Sequence, residues 1–275
     1  MPEGPEIRRA ADQVAAAIKG KKVERLFFAF EHLKAYEQQL AGTTVQAVDT
    51  FGKAMLTRFS NGMNIYSHNQ LYGRWYCTKA GEQPDIGRQL RLAIYCPRDA
   101  ALLYSASEIS VLLNDEIGNH PFIKKLGPDV LHPDTEMTTI TRRLREKRFH
   151  KRQLGSLLTD QSFVAGLGNY LRCEILFVAG LSPTQRPKQL DNYSLEQLAT
   201  AILELPRQSY QSGGITNELS RARQLIEEGA SFEEARFHLF RREGKPCYHC
   251  GTAIVRTIQA GQPTYLCPHC QKFSV

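Results

Sequence analysis

The spacing of apolar positions changes twice along this chain. From Pro5 to Lys19 they recur at Ile7, Ala10, Ala11, Val14 and Ile18, the three-and-four rhythm of one helix face. Gly20 is a natural stop for that helix. Short runs bounded by turn residues follow: Leu26 to Phe30, Val45 to Thr50, Ala54 to Phe59, Met63 to Ser67, Leu90 to Tyr95 and Ala101 to Tyr104. These read as strands, and Asn61-Gly62 between two of them signals a hairpin. One helix and then many short strands predict a β-sandwich or barrel with a terminal helix, ending near Gly127-Pro128-Asp129.

The helical period then returns. Asp134 stands where it could cap a helix carrying Met137, Ile140 and Leu144. Phe163 to Val178 reads as a loop and then a helix, closed by Gly180 and Pro183. Ser194 and Gln197 form a capping-box pattern ahead of Leu198, Ile202 and Leu203, and that helix is expected to end before Pro206. Residues 207–236 read as a linker or mobile loop around Ser212-Gly213-Gly214, with one short helix over Ser220 to Glu228. A cysteine-rich module closes the chain. The expected organisation is an α+β multidomain protein with domains 1–127, 128–236 and 237–275.

Composition narrows the class. The chain has 275 residues, 42% hydrophobic and 23% charged, as expected for a globular protein of two or three domains. No apolar run approaches the roughly 20 residues of a membrane span, and no secretory leader is visible. A soluble, cytoplasmic protein with no membrane partner is expected. The net charge of +7 is concentrated at Arg142, Arg143, Arg145, Lys147, Arg148, Lys151 and Arg152. A polyanion partner and a solvated basic helix face both fit that cluster.

Cys247-x2-Cys250-x16-Cys267-x2-Cys270 has the spacing of two metal knuckles. Four thiolates suit one tetrahedral Zn²⁺ and leave no open position, so the metal is structural. So short a segment cannot build a core alone, and metal binding would supply its folding energy. Cys77, Cys96 and Cys173 sit among apolar neighbours and are expected to be buried.

Other segments carry candidate chemistry. Pro2 follows Met1, and removal of that methionine would leave a proline amine at the chain start. An α-amine titrates near ~8 and attacks aldehyde-like carbons to give an iminium ion, whereas Lys titrates near ~10.4. Glu3 beside it can move protons. Gly166-Leu167-Gly168-Asn169 opens a helix whose N-terminal N–H groups could receive a phosphate, with Asn169 and Arg172 adding donors. Lys53, after Gly52, could meet another phosphate. Gln70-Leu71-Tyr72 could wedge into a base stack or simply end a packed strand.

Together these segments resemble the Fpg/Nei family of bacterial DNA glycosylases, in its endonuclease VIII (Nei) branch. The resemblance rests on M-P-E-G-P-E-I-R-R-A at the start, F-G-K-A-M-L-T, Y-S-H-N-Q-L-Y-G, A-G-L-G-N-Y-L-R-C-E-I-L and the four-cysteine finger followed by Gln271. It implies an N-terminal two-layer β-sandwich with its helix, a helix–two-turn–helix domain and a zinc ribbon, with damaged double-stranded DNA in the cleft between the halves. It implies excision of an oxidised pyrimidine, with Pro2 attacking the sugar C1′, then β,δ-elimination through the Schiff base. Glu3 corresponds to the family's general acid/base, Glu6 to a supporting carboxylate, Lys53 and Asn169 to phosphate contacts around the lesion, with Lys53 counted among the catalytic residues beside Pro2 and Glu3, and Gln70, Leu71 and Tyr72 to the void-filling loop. Where the family finger carries a phosphate-clamping arginine, this chain has Gln262, which lacks the charge and the bidentate fork. Arg256 or Lys272 could offset that loss. Thr216 to Ala235 is longer than the usual Nei connection. A monomeric, nucleoid-associated repair enzyme is expected. A purine-directed glycosylase of the sister branch and a non-catalytic damaged-DNA binding protein are the competing readings.

Overall fold

The structure, a computed structural model, describes residues 2–272, so the processing expected at Met1 lies outside the described residues. The chain divides into two compact units. One contains Pro2 and Glu6–Lys125, the other Glu3–Pro5 and the chain from Leu126 onward.

Helix α1 (Gly4–Ile18) leads into β1 (Arg25–Phe28), α2 (Ala35–Leu40), β2 (Val45–Phe51), β3 (Ala54–Phe59), β4 (Met63–His68), β5 (Arg74–Lys79), β6 (Leu90–Tyr95), β7 (Asp99–Tyr104) and β8 (Glu108–Leu113). The strands make two antiparallel sheets, ordered β1-β6-β7-β5 and β2-β3-β4-β8. Leu26, Phe28, Leu92, Ile94 and Leu103 of one sheet share a core with Val45, Met55, Phe59 and Ile65 of the other. Ala11, Val14 and Ile18 of α1 join that core, so this is a β-sandwich with its helix.

Two strands escape the sequence reading. β5 and β8 are edge strands with few buried positions, and an edge strand need not alternate strictly. The same location corrects the expectation for Cys77, which is exposed on β5, whereas Cys96 and Cys173 are buried as expected.

The second unit holds α3 (Met137–Arg145), α4 (Leu154–Leu157), α5 (Asn169–Val178), α6 (Asn192–Gln211), α7 (Leu219–Glu227), α8 (Phe232–Ala235) and the hairpin β9 (Val255–Gln259)–β10 (Gln262–Leu266). The buried face of α5, with Leu171, Ile175 and Leu176, packs with Ile140 and Leu144 of α3 and Leu198 and Ile202 of α6.

Four local expectations are corrected here. Asp134 does not cap α3; Glu136 occupies the cap position, without a side-chain bond. Helix α6 starts earlier than expected, because Asp191 accepts from the Ser194 N–H at 2.7 Å. Such a cap is worth about 1 kcal/mol. The helix also runs through Pro206 to Gln211. Proline removes one ladder bond, but Leu205 and Ser209 on either side are buried and carry the helix onward. Residues 207–236 are therefore no loose linker. Thr216 and Asn217 are buried, and their N–H groups both donate to Arg236 O.

Candidate active site and nucleic-acid interface

In the first unit, Pro2 lines a cleft of about 900 Å³ with Glu6, Arg9, Leu71, Tyr72 and Arg88. Glu6 and Arg9, one turn apart on α1, form an ion pair at 3.2 Å. Lys53 stands in the two-residue turn joining β2 and β3, since Phe51 pairs with Ala54. Gly52 supplies the φ of 59° that such a turn requires.

The loop after β4 is tightly specified. His68 Nδ1 accepts from the Gln70 N–H at 3.1 Å, which requires a neutral imidazole. Burial lowers the His68 pKa; Glu108 opposes that shift and Lys53 adds to it. Gln70 takes a left-handed φ of 48°. Its Nε2 donates to Glu108 at 3.1 Å and its Oε1 accepts from Ser107 at 2.6 Å. Tyr66 OH donates to the same carboxylate at 3.3 Å, and burial first, then Glu108, pushes that phenol strongly upward. A Cβ on Gly73 would lie 2.6 Å from Asn69 O, so only glycine fits. The loop thus tethers Gln70 while displaying Leu71 and Tyr72, which are 56% and 69% exposed. Two large apolar side chains held out from a fixed backbone can enter a base stack.

In the second unit, Glu3 is 2% exposed. Its carboxylate accepts from the N–H groups of Gly168 at 2.6 Å, Tyr170 at 2.8 Å and Leu171 at 3.4 Å. A carboxylate at a helix N-terminus satisfies orphan donors and the helix dipole together. A Cβ on Gly168 would lie 2.4 Å from Glu3 Cδ. Gly4 N donates to Gly166 O at 2.8 Å, and Gly166 takes a φ of 100°. The two glycine-bearing motifs, far apart in sequence, therefore interlock. This corrects one expectation: at the start of α5, where the sequence offers N–H groups to a phosphate, those of Gly168, Tyr170 and Leu171 are taken by Glu3.

Arg172 is the second correction. It is fully buried, not a surface donor. Its guanidinium bonds Gly155 O at 3.1 Å, Thr264 Oγ1 at 2.7 Å, Pro263 O at 3.4 Å and Asn169 Oδ1. Asn169 Nδ2 donates to Pro263 O at 2.9 Å. Glu174, two residues on, is a buried structural carboxylate whose role sequence reasoning missed. Its buried carboxylate accepts from the N–H groups of His238, Leu239 and Phe240 at 2.8–3.0 Å and from Thr216 Oγ1 at 2.7 Å. A glutamate inside an apolar helical pattern was the available signal.

The Sγ atoms of Cys247, Cys250, Cys267 and Cys270 all lie within 4.8 Å of one another. Cys247 and Cys270 are 3.9 Å apart, and Cys250 and Cys267 are 3.5 Å apart. Zn–S bonds of about 2.3 Å in a tetrahedron put sulfurs about 3.8 Å apart, so these residues fit Zn²⁺. Gln262 opens β10, opposite Gln259. Much of the basic cluster has structural work: Arg143 donates to Ser162 O and Phe163 O, Arg145 to Asn192, and Arg152 pairs with Asp160.

Comparison with known proteins agrees with this geometry. Family models match the formamidopyrimidine-DNA glycosylase N-terminal domain at residues 1–106, the formamidopyrimidine-DNA glycosylase H2TH domain at 126–220 and the zinc finger found in FPG and IleRS at 244–272. Endonuclease 8 of Escherichia coli is 47% identical over 271 residues, covering 98% of this chain and all of that protein. Endonuclease 8 of Salmonella typhimurium is 47% identical over 272 residues, covering 99% of this chain and all of its own. The Lactococcus lactis Fpg solved with abasic-site DNA shares the fold, with a TM-score of 0.82 at 20% identity over 98% of this chain and all of that one. With matched modules along most of its length and full-length relatives at this identity, the chain belongs to the Fpg/Nei family of DNA glycosylases.

Proposed function

We propose that this protein excises oxidised pyrimidines from double-stranded DNA and then cleaves the strand by β,δ-elimination through a Schiff base on Pro2. As a family member it is a base excision repair DNA glycosylase with AP lyase activity, and it binds DNA. Its finger holds one structural Zn²⁺. The observation that carries the finer reading is the fixed carboxylate of Glu3. Three backbone N–H groups hold it one peptide bond from Pro2, so the residue next to the nucleophile cannot wander.

In this reading the Pro2 nitrogen attacks C1′ of a flipped nucleotide and the base departs with a proton. The C1′–O4′ bond then opens, O4′ taking a proton while the nitrogen lone pair forms the C1′=N bond, and the iminium so formed is an electron sink. It acidifies the C2′ proton; loss of that proton expels the 3′ phosphate, and a second elimination expels the 5′ phosphate. Glu3 accepts and returns protons along this path. Glu6 supports Arg9 beside Pro2. Lys53, Asn169 and Gln262 contact phosphates, while Gln70, Leu71 and Tyr72 fill the vacated stack. Flipping costs a few kcal/mol, least at a damaged pair.

We assign the catalytic module to 1–127, the helical module to 128–236 and the finger to 237–275, acting as a monomer at the nucleoid in the cytoplasm. Among the described residues no helix is long and apolar enough to cross a membrane. A side-by-side excision assay tests the substrate. Thymine glycol should be removed faster than 8-oxoguanine; the reverse order would move the protein to the purine-directed reading.

A further inference from the structure

Arg172 is a cation with no exposed surface, and its hydrogen bonds go to neutral acceptors. Burying such a charge without a carboxylate is costly. Its partners indicate what it accomplishes. They come from three places: α4 through Gly155 O, the first residue of α5 through Asn169, and the finger hairpin through Pro263 and Thr264.

Guanidinium only donates, so the Asn169 atom facing it must be Oδ1. That fixes the amide flip. Nδ2 is thereby the donor atom, and it gives one proton to Pro263 O at 2.9 Å, the carbonyl that Arg172 also reaches at 3.4 Å. On the finger side, Thr264 Oγ1 accepts from Arg172 and passes its own proton to Gln262 O at 3.4 Å. One buried cation therefore sets the donor direction of Asn169 and the backbone of Gln262. A Cβ on Gly155 would run into the Gln259 side chain, so the hairpin is seated on the same turn whose carbonyl Arg172 grips.

We propose that Arg172 is a positioning residue for DNA binding: it aligns Asn169 and the finger hairpin as one phosphate-binding unit without touching DNA. The proposal rests on the phosphate-contact role assigned above to Asn169 and Gln262. Lysine at 172 cannot serve, because a point charge cannot span a planar fork of acceptors.

The test is a double-mutant cycle on the full-length zinc-loaded protein. The ligand is a duplex carrying a tetrahydrofuran abasic analogue, and Kd is measured across a salt series. Asn169→Ala should weaken binding about tenfold, as expected for one charge-assisted bond. Arg172→Met should weaken it to a similar degree, Arg172→Lys should not rescue it, and the double variant should bind within about twofold of Asn169→Ala alone. The loss should appear in KM and as a weaker Kd at every salt concentration, with the salt slope and kcat at saturating DNA little changed, since no phosphate-contacting charge is removed. A merely structural role would instead lower the active fraction, leaving KM and Kd alone. Multiplicative losses near a hundredfold in the double variant, or wild-type affinity in Arg172→Met, would overturn the proposal. Should Arg172→Met fail to fold, Thr264→Val decides the matter. It keeps the shape of the buried side chain, removes both bonds, and should likewise be non-additive with Asn169→Ala; additivity there overturns the proposal. Borohydride trapping of the wild-type protein on a lesion duplex reports separately on the Pro2 chemistry, so a failure of that chemistry leaves the binding cycle readable.

Discussion

Replacing Gly168 with alanine should disable the chemistry without touching any residue that contacts DNA. The new Cβ would stand 2.4 Å from Glu3 Cδ and 2.5 Å from Oε1, where ordinary contact begins at 3.4 Å. The carboxylate must therefore retreat by about 1 Å, since the alternative is to move the backbone that starts α5. A misplacement of about 1 Å in a reacting group costs on the order of 100-fold in rate. General acid–base catalysis as a whole is worth about 10²–10⁴-fold, so the two estimates meet. The displaced carboxylate also loses at least one charge-assisted bond, about 1.5–3 kcal/mol of stability. For a unit of this size that is a Tm drop of roughly 3–12 °C. The assay is single-turnover excision on a thymine glycol duplex, with Kd for the abasic analogue measured in parallel. The rate should fall about 100-fold while Kd stays within about threefold. A Gly168→Ala enzyme that excises within about threefold of wild type would refute the idea that Glu3 must sit where these N–H groups hold it.

Three further outcomes follow from the geometry. Gln262→Arg should tighten lesion binding and steepen the salt dependence by about one phosphate, a slope change near −0.9 in log K against log salt; an unchanged slope would remove Gln262 from the interface. Tyr72→Ala removes a side chain that is 69% exposed, so the free energy of unfolding should stay within about 0.5 kcal/mol while lesion affinity drops by about 1–3 kcal/mol of stacking. Equal affinity would mean that Tyr72 never enters the stack. His68 has a folded pKa below its unfolded value of about 6.5, so its contribution is present above that pH and is lost as pH falls through the lowered folded value. The Tm of wild type should therefore fall faster below pH 6.5 than that of His68→Asn; parallel profiles would contradict the neutral Nδ1 acceptor.

The strong periodicities were legible. Helix α1, the central strands of both sheets and the four-cysteine finger follow from apolar spacing, turn residues and knuckle spacing. What escaped has physical causes. β5 and β8 are edge strands, so half-burial blurs their alternation. Helix α6 continues through Pro206 because tertiary packing outweighs one lost bond. The site motifs were visible as separate segments, but long-range pairing was not. Spacing alone does not reveal that Gly168 must be glycine because Glu3 lies against it, at a separation of 165 residues. Arg172 misled for a related reason: an arginine on the first turn of a helix usually faces water, and the acceptors that α4 and β10 bring to this one, distant in sequence, explain why it does not.

The central claim is that the nitrogen of Pro2 forms the covalent bond to DNA. Borohydride reduction during turnover on an oxidised-pyrimidine duplex, followed by proteolysis and mass spectrometry of the crosslinked peptide, tests it directly. The adduct should map to the N-terminal peptide, on Pro2, and should be absent from protein that retains Met1. An adduct on Lys53 or any other lysine, or full trapping with Met1 in place, would contradict it.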